Sequence, residues 1–495
     1  MLFTTAVFAF LYLPVVLLGF YWIGKRSTRG AAAWLFAASL FFYGYWMPQY
    51  VLLLLGSIVA NFFFGSRIAA ARANSDAGRK LSRDWLALGV FFNLALLGYF
   101  KYADFFIANL NALLQTDFAQ PGVILPIGIS FFTFTQIAFL ADAHQKGVRE
   151  YQPTHYGLFV TYFPHLVAGP VLHHAQMMPQ FAQRETYQLQ HGNFAAGLAI
   201  LCIGLFKKIV VADGMAPYAD AAFGGADALA NLTVLEAWIG ALSYTFQLYF
   251  DFSGYSDMAV GLSWMLNIRL PYNFNSPYRA TNISDFWRRW HITLSNFLRD
   301  YLYIPLGGNR RGPSRRYVNL AITMVLGGLW HGANWTFVIW GALHGAYLGI
   351  HHAFRAALPS GLAGPLARRV GRFVAWLLTF AAVVLAWVFF RAESIKGAWL
   401  MLERMIGQGV RHTEPLILAN AGLSLTRGLV ACIFLTAVTA LLPNSNRIGE
   451  QIRAGCTMSR SVSGFTVGFA ALLTILLIIV NESRDSISAF IYFNF

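Results

Sequence analysis

The chain has 495 residues, of which 57% are hydrophobic and only 12% are charged, and its mean hydropathy is +0.53. This composition indicates a polytopic membrane protein rather than a soluble one. The net charge of +15 would suggest a nucleic-acid partner in a soluble protein. Here the excess lies in short loops beside apolar runs, as membrane topology requires, so nucleic acid is not expected. The three cysteines, Cys202, Cys432 and Cys456, have no metal-site spacing and are expected to be inert packing residues.

Apolar runs long enough to cross a bilayer recur along almost the whole chain. About 20 residues suffice for a spanning helix, and runs without strand-like alternation predict helices rather than barrel strands. We therefore expect an all-α fold with about 11 to 14 transmembrane or re-entrant helices, some of them short or broken. The candidate spans lie near residues 2–23, 31–48, 50–64, 85–107, 121–141, 156–175, 194–212, 233–250, 254–267, 317–330, 335–350, 371–390, 416–441 and 463–480.

Basic residues predict the orientation of these helices. The first apolar run has no Lys or Arg before it and gains Lys25, Arg26 and Arg29 after it, which is the opposite of a secretory signal peptide. We expect this run to remain as a first helix with its N-terminus outside. The basic loops within 67–83 and 447–460 would then be cytoplasmic, and the tail at 481–495 would lie outside.

The chain is expected to form a single membrane domain, 1–495, because it has no fixed-period repeat and no long linker. The composition of this domain changes along the sequence. Residues 1–115 are plain apolar helices and residues 371–480 form C-terminal helices, whereas 121–350 interleave apolar runs with Gly, Pro, Trp, Asn, His and Arg. Such residues are tolerated at membrane depth where protein or a water-filled cavity surrounds them. A catalytic core is therefore expected within 121–350.

An imidazole in the middle of a long apolar stretch is the most informative single residue. His331 lies between flanks free of Asp, Glu, Lys and Arg, at 317–325 and 336–350. An ionisable side chain in hydrocarbon is costly, so His331 is a candidate functional residue: a catalytic base, a proton relay or a satisfied packing residue. Its neighbours Trp330 and Asn334 would supply a wall and a polar group to a substrate passage.

An arginine-rich segment precedes this stretch. From Arg288 to Arg316 there are seven arginines and one acid, Asp300, interleaved with aromatic residues. This pattern predicts an amphipathic helix in the interface plane that grips anionic lipid, and some arginines are candidates for holding a phosphate-bearing donor. The candidate donor-binding or tunnel residues of this segment are Trp287, Arg288, Arg289, Trp290, Asp300, Asn309 and Arg310.

His291 lies at the edge of this segment and could face the same cavity as His331, so that the two imidazoles divide the roles of base and orienting group. A two-histidine metal site is the rival interpretation. The sequence has no H-E-x-x-H, no carboxylate at ligand spacing and no cysteine pair, so no metal is expected. It also lacks a G-x-S-x-G elbow and a phosphate-binding P-loop.

Several long motifs follow one another along the chain: LPIGISFFTF at 125–134, HLVAGP at 165–170, YFDFSGYSD at 249–257, FWRRWH at 286–291, RDYLYIPLGGNR at 299–310 and GGLWHGANWTFVIWGALHG at 327–345. In this order they resemble the membrane-bound O-acyltransferase (MBOAT) family, in its bacterial branch typified by the alginate O-acetyltransferase membrane subunit. By this resemblance, His331 corresponds to the catalytic histidine of the family and His291 to its second histidine.

The resemblance implies a ring of helices around a tunnel in the bacterial inner membrane, with both termini periplasmic. It implies acetyl-CoA as the acyl donor, no bound cofactor, and a periplasmic SGNH-type esterase-like partner that serves an exported polysaccharide. The C-terminal residues 490–495 (FIYFNF) resemble an F-x-Y-x-x-F tail in which the tyrosine, here Tyr492, is proposed to carry the acyl group. The alternative for Tyr492 is an interfacial aromatic anchor.

These observations predict an O-acyltransferase that acetylates an exported polysaccharide. Alternatives within the fold are D-alanyl transfer to teichoic acid and peptidoglycan O-acetylation. A transporter or flippase is the alternative from a different class, because the same histidine could relay protons and the arginines could steer an anionic substrate.

Overall fold

The computed structural model describes residues 1–72, 76–310, 312–357, 365–409, 416–484 and 488–494. Within these ranges the chain forms helices and no strand, as predicted. The α-helices are α1 Leu13–Gly24, α2 Thr28–Gly44, α3 Val51–Ala71, α4 Asp76–Leu97, α5 Ala103–Leu114, α6 Ile129–Lys146, α7 Pro153–Thr161, α8 His174–Phe181, α9 His191–Phe206, α10 Asp213–Asp227, α11 Val234–Met265, α12 Ile283–Trp287, α13 Ile292–Leu298, α14 Gly312–His331, α15 Trp335–Ala357, α16 Pro365–Arg391, α17 Ile395–Met405, α18 Leu416–Asn420, α19 Leu425–Leu441, α20 Ser445–Met458 and α21 Arg460–Glu482.

Short segments of other helix types join or extend these elements. Segments with π-helical hydrogen bonding lie at Val7–Tyr12, Gly98–Tyr102, Lys207–Ala212 and Arg299–Tyr303. The 3₁₀ segments lie at Pro48–Tyr50, Arg184–Tyr187, Pro277–Arg279 and Ile491–Asn494. Of these two types, the π-helical segments widen the helix locally, and such widening occurs frequently at functional sites.

Six helical segments in the described ranges are long and apolar enough to cross a membrane, or seven if the bent pair α19 and α20 is one span. They are Val7–Gly24, Pro48–Ala71, Asp76–Leu114, His191–Asp227, Arg369–Arg391 and Arg460–Glu482. The other expected spans form helices that are shorter, broken or more polar. After α7, for example, residues 162–172 are not helical and are fully buried, which is possible at membrane depth only when protein surrounds the backbone.

One expected boundary is wrong. The sequence suggests separate spans at 233–250 and 254–267, divided at 251–253, but α11 runs without a break from Val234 to Met265 and includes Gly254. A glycine inside a helix costs only about 1 kcal/mol relative to alanine, which packing readily offsets. The helix therefore does not end at this glycine.

The chain divides into two compact units, each assembled from separate stretches of sequence. The first comprises residues 1–206, 254–272 and 445–494, and the second comprises 207–253 and 273–444. In the first unit, buried polar side chains join α3 to α4, where Asn61 and Asn93 exchange hydrogen bonds of 3.2 and 2.6 Å. In the second unit, the core is aromatic and includes the fully buried Trp290, Trp340 and Trp387.

Candidate functional site

His331 is the last residue of α14, directly before the three-residue break that separates α14 from α15. The break occurs because Asn334 serves as the N-terminal cap of α15, its side-chain oxygen accepting a hydrogen bond of 3.1 Å from the Thr336 N–H. The Asn334 amide also donates to the Glu393 carbonyl at 3.0 Å. The structure thus gives Asn334 a structural role at this turn.

The glycines around His331 allow helices α14 and α15 to pack closely as an antiparallel pair. A Cβ on Gly328 would lie 2.2 Å from the Phe337 carbonyl oxygen, and one on Gly332 would lie 2.1 Å from the Phe337 ring. At both positions the space is occupied by Phe337, so close helix packing accounts for these glycines.

The structure brings His331 together with His291. Their ring centroids lie 6.3 Å apart, and the ring of Trp330 lies 4.9 Å from His331 and 6.1 Å from His291. Both histidines are buried, with exposed fractions of 3% for His331 and 0% for His291. Two imidazoles that are 40 positions apart in the sequence therefore share one buried site.

His291 adopts a left-handed backbone conformation, with φ of 42°, at the N-terminus of α13. Residues other than glycine rarely occupy this region, and where they do the surrounding structure must hold them. Asn273 provides that support, because its carbonyl accepts from the Ile292 N–H at 2.9 Å and its side-chain oxygen accepts from the Thr293 hydroxyl at 2.6 Å. Burial lowers the pKa of His291, which lies outside the candidate spans, to about 3. The ring is therefore neutral near pH 7.

Aromatic side chains that the sequence did not single out surround both histidines. The ring of Phe252 lies 4.7 Å from His291, and the rings of Trp340 and Phe390 lie 5.2 and 5.1 Å from His331. Phe252 and Trp340 belong to motifs quoted above, which was the available signal, whereas Phe390 lies in an apolar run that gave none. An enclosure of low polarity strengthens any electrostatic interaction inside it.

The arginine-rich segment is not the single amphipathic helix that we expected. It is broken into α12, α13 and the segment Arg299–Tyr303. Trp290, expected at the headgroup level, is only 1% exposed, with the rings of Trp387 and Phe274 at 4.9 and 5.1 Å. Burying this indole in an aromatic core outweighs the interfacial preference of tryptophan, so Trp290 is a packing residue.

The other candidate residues of α12 have separate environments. Trp287 donates from its indole nitrogen to His344 Nδ1 at 3.3 Å, and its ring lies 5.8 Å from Trp340, which itself contacts His331. Arg289 forms an ion pair of 3.0 Å with Asp285, and Arg288 is exposed. Of these three side chains, only Trp287 is linked by ring contacts to the histidine site.

The candidate residues beyond α13 lie towards the surface. Asp300 forms a two-pronged ion pair with Arg299, at 2.7 and 3.0 Å. Asn309 is exposed and accepts a hydrogen bond from the Tyr303 hydroxyl, and Arg310 is exposed. Arg310 is thus available to an anionic ligand, whereas the carboxylate of Asp300 is occupied by its neighbour.

Tyr492 belongs to the first unit, where it is 6% exposed and its ring lies 6.4 Å from that of Phe131. Phe490 is also buried, 5.0 Å from Tyr255. The tail is therefore folded into the first unit. Phe495, the last residue of the F-x-Y-x-x-F pattern, lies outside the described residues.

Sequence reasoning missed a buried ionic cluster in the second unit. Lys208 Nζ lies 2.8 Å from a carboxylate oxygen of Asp213 and 2.8 Å from one of Asp251, and all three side chains are nearly inaccessible. The signal was a lysine inside the expected span 194–212. Asp251 directly precedes Phe252, which packs on His291, so the cluster anchors one wall of the site.

Within the described ranges, no group of three or more His, Cys, Asp or Glu side chains could hold a metal ion. The side chains that surround His331 and His291 are instead mainly aromatic.

Comparison with known proteins bears on what such a site does. Residues 16–390 match the family described as MBOAT, membrane-bound O-acyltransferase. The chain belongs to the membrane-bound O-acyltransferase family. It is 41% identical to the peptidoglycan O-acetyltransferase of Helicobacter pylori, over 100% of this chain and 98% of that protein.

Two further relatives show how far along the chain the similarity extends. The chain is 44% identical to the probable alginate O-acetylase AlgI of Pseudomonas aeruginosa, over 85% of this chain and 78% of that protein. It is 27% identical to the teichoic acid D-alanyltransferase of Bacillus subtilis, over 46% of this chain and 59% of that protein. The protein is thus a membrane-bound O-acyltransferase, as the motifs suggested.

Proposed function

We propose that this MBOAT protein transfers acetyl groups from cytoplasmic acetyl-CoA to an exported polysaccharide across the bacterial inner membrane. The observation that carries the proposal is the pairing of two buried imidazoles, His331 and His291, with ring centroids 6.3 Å apart. Near-complete relatives named as O-acetyltransferases and O-acetylases support acetyl as the group transferred.

In the proposed reaction, His331 accepts the proton of an acceptor hydroxyl as the oxygen attacks the thioester carbonyl. The carbon–sulfur bond breaks, and the departing thiolate takes the proton from His331, so that protons and charges balance. His291 is neutral at physiological pH because burial lowers its pKa to about 3. A neutral imidazole donates one N–H hydrogen bond, which suits it to position the donor carbonyl rather than to act as an acid.

The aromatic enclosure contributes by excluding water, which would otherwise hydrolyse the thioester. Trp330 and Trp287 would form walls of the substrate passage. The exposed guanidinium groups of Arg288 and Arg310 would bind the phosphates of coenzyme A, since their geometry matches phosphate oxygens.

We further propose that Tyr492 carries the acetyl group outward to a periplasmic SGNH-type partner and that both termini are periplasmic. A protonated phenol is a weak nucleophile, so Tyr492 would need a base to take its proton. Tyr492→Phe keeps the ring and removes the nucleophile, so coenzyme A release in the presence of acceptor should fall while the protein stays folded. Normal acetylation by this variant would eliminate the carrier role.

The decisive experiment uses the purified full-length protein in vesicles with labelled acetyl-CoA. The wild-type protein should release free coenzyme A, and His331→Ala should lower the rate by about 10²-fold to 10⁴-fold, the usual contribution of a general base. His352→Gln, at the far end of α15, is the matched control and should retain the rate. If the wild type releases no coenzyme A, acetyl-CoA is not the donor and the proposed acetyl transfer is overturned.

Peptidoglycan is the second candidate acceptor, because the H. pylori peptidoglycan O-acetyltransferase matches this chain from end to end. A deletion strain distinguishes the candidates: ester-linked acetate would disappear either from the peptidoglycan or from a secreted polysaccharide. D-alanyl transfer has weaker support, because its relatives match only 46% of the chain. Loss of ester-linked alanine rather than acetate in the same strain would favour it.

A further inference from the structure

A pocket of about 470 Å³ in the second unit combines three guanidinium groups with apolar side chains. Arg279, Arg369 and Arg372 contribute the charge, and none of the residues that line the pocket is acidic. The apolar part includes Phe373 and Leu441, which are 60% and 76% exposed. The pocket is separate from the arginine-rich segment 288–316 and from the histidine site.

The pocket is held in place from two sides. Arg279 donates from Nε to the Thr439 carbonyl at 3.2 Å and from Nη2 to the Leu442 carbonyl, so it caps the C-terminal end of α19. Trp376 lines the same pocket and donates from its indole nitrogen to the Tyr278 carbonyl at 2.8 Å. The capping of α19 fixes the position of one guanidinium independently of any ligand.

The position along the helices places this pocket at the membrane surface. Arg369 begins a candidate span that continues to Arg391, and Leu441 ends α19, the first half of the bent candidate span. The pocket therefore lies where the α16 span starts and where α19 ends, at the bend before α20. Arg447 follows in the first turn of α20, and basic residues beside apolar helices are typical of the cytoplasmic face.

Two arginines near the start of α16 form a like-charged pair that a bound anion would stabilise. Arg369 and Arg372 lie three residues apart on α16, so their side chains are neighbours on the helix and their like charges repel each other. A phosphate group would compensate both charges and match guanidinium geometry. The exposed Phe373 and Leu441 beside it suit an acyl chain, which a water-soluble phosphate compound does not carry.

We propose that this pocket binds an acidic phospholipid, with the phosphate between Arg369, Arg372 and Arg279 and an acyl chain along Phe373, Trp376 and Leu441. Basic pockets between membrane helices are a recurrent mode of recognition for anionic headgroups. Such a lipid would join the start of α16 to the end of α19 at the cytoplasmic surface.

Native mass spectrometry of the full-length protein in detergent tests this assignment. Phosphatidylglycerol and phosphatidylcholine with identical acyl chains are titrated separately. Arg369→Gln and Arg372→Gln should each weaken phosphatidylglycerol binding about fivefold, and the double variant about 25-fold, with phosphatidylcholine binding unchanged. Arg427→Gln is the matched control, since it removes an exposed charge from the opposite end of α19. Arg279 is left intact because it also caps a helix.

A competition measurement distinguishes the lipid from the phosphates of the acyl donor. Saturating coenzyme A should leave phosphatidylglycerol bound. Displacement by coenzyme A would show that the pocket takes the donor and would overturn the proposal. Equal phosphatidylglycerol retention by the wild type and the double variant would overturn it as well.

Discussion

At the scale of single residues, His331 and His291 have different environments, which suit them to different roles in the proposed reaction. His331 ends a helix beside a capped turn, whereas His291 is held in a left-handed conformation between Asn273 and α13. His291 is neutral over the whole physiological range because burial lowers its pKa to about 3. Our proposal therefore gives the proton-transfer role to His331 and not to His291.

This difference predicts a distinct behaviour for His291→Gln. Glutamine retains an N–H donor, so kcat should fall about 10-fold to 100-fold from imperfect positioning. The acid limb of the pH–rate profile between about pH 5 and 8 should stay unchanged, because a group with a pKa of about 3 does not titrate there. Measured profiles of kcat/KM for the wild type and the variant check this. Disappearance of the acid limb would assign it to His291.

The buried cluster around Lys208 gives a second residue-scale prediction. Lys208→Met leaves Asp213 and Asp251 buried without their cation, which should cost about 3–5 kcal/mol of stability. Thermal unfolding in detergent should show a clearly lowered midpoint. The triple variant Lys208→Met, Asp213→Asn, Asp251→Asn should recover most of that loss, because no buried charge remains. A triple variant as unstable as the single one would mean that the lysine acts through packing alone.

The antiparallel pair α14 and α15 is the element that presents His331. Gly341 on α15 faces the α14 backbone, and a Cβ there would lie 2.4 Å from the Met324 carbonyl oxygen. Backbone cannot rotate away as a flexible side chain can. The distance between these two helices, and with it the position of His331, therefore depends on the absence of a side chain at Gly341.

Gly341→Ala should separate the two helices and cost about 1–3 kcal/mol, the usual penalty of overpacking. The turnover rate should fall as well, because His331 moves with the end of α14. Gly349→Ala is the matched control on the same helix, since its Cβ would meet only the Tyr317 ring at 3.8 Å, an ordinary contact. Unfolding midpoints and coenzyme A release are measured for both variants. Equal behaviour of the two would rule out close packing as the function of Gly341.

The charge distribution predicts the orientation of the whole molecule. The segment Asp76–Leu114 is one candidate span, with basic residues at its start and none in the residues 115–125 that follow it. The positive-inside rule then places Lys80 in the cytoplasm and Gln120 outside. All three native cysteines are buried, so an introduced cysteine can be labelled against a low background.

In intact spheroplasts, a membrane-impermeant thiol reagent should label Gln120→Cys at once and Lys80→Cys only after permeabilisation. The wild-type protein, with its buried cysteines, is the control and should remain unlabelled. Labelling of Lys80→Cys in intact spheroplasts would reverse the proposed topology and with it the direction of acyl transfer.

The sequence by itself determined the class of protein, the family and the two histidines. Apolar runs at membrane length predict helices because lipid leaves backbone groups no other partners, and His331 is conspicuous because a titratable side chain is costly there. The motif from residue 327 to 345 supplied the resemblance, which the match to the MBOAT family over residues 16–390 confirmed. These signals are local, so no neighbour in space was needed to detect them.

Only the tertiary structure decided which side chains meet. Trp290 lies in the core although its segment suggested an interfacial position, and Phe390 contacts His331 although nothing in its own apolar run indicated it. Phe252 and Trp340 lie in quoted motifs, but the motifs did not show that these rings enclose the histidines. Likewise, Lys208 is tolerated because the nearby Asp213 and the sequence-distant Asp251 both pair with it. Packing between segments far apart along the chain sets these environments, and no pattern within a single segment contains that information.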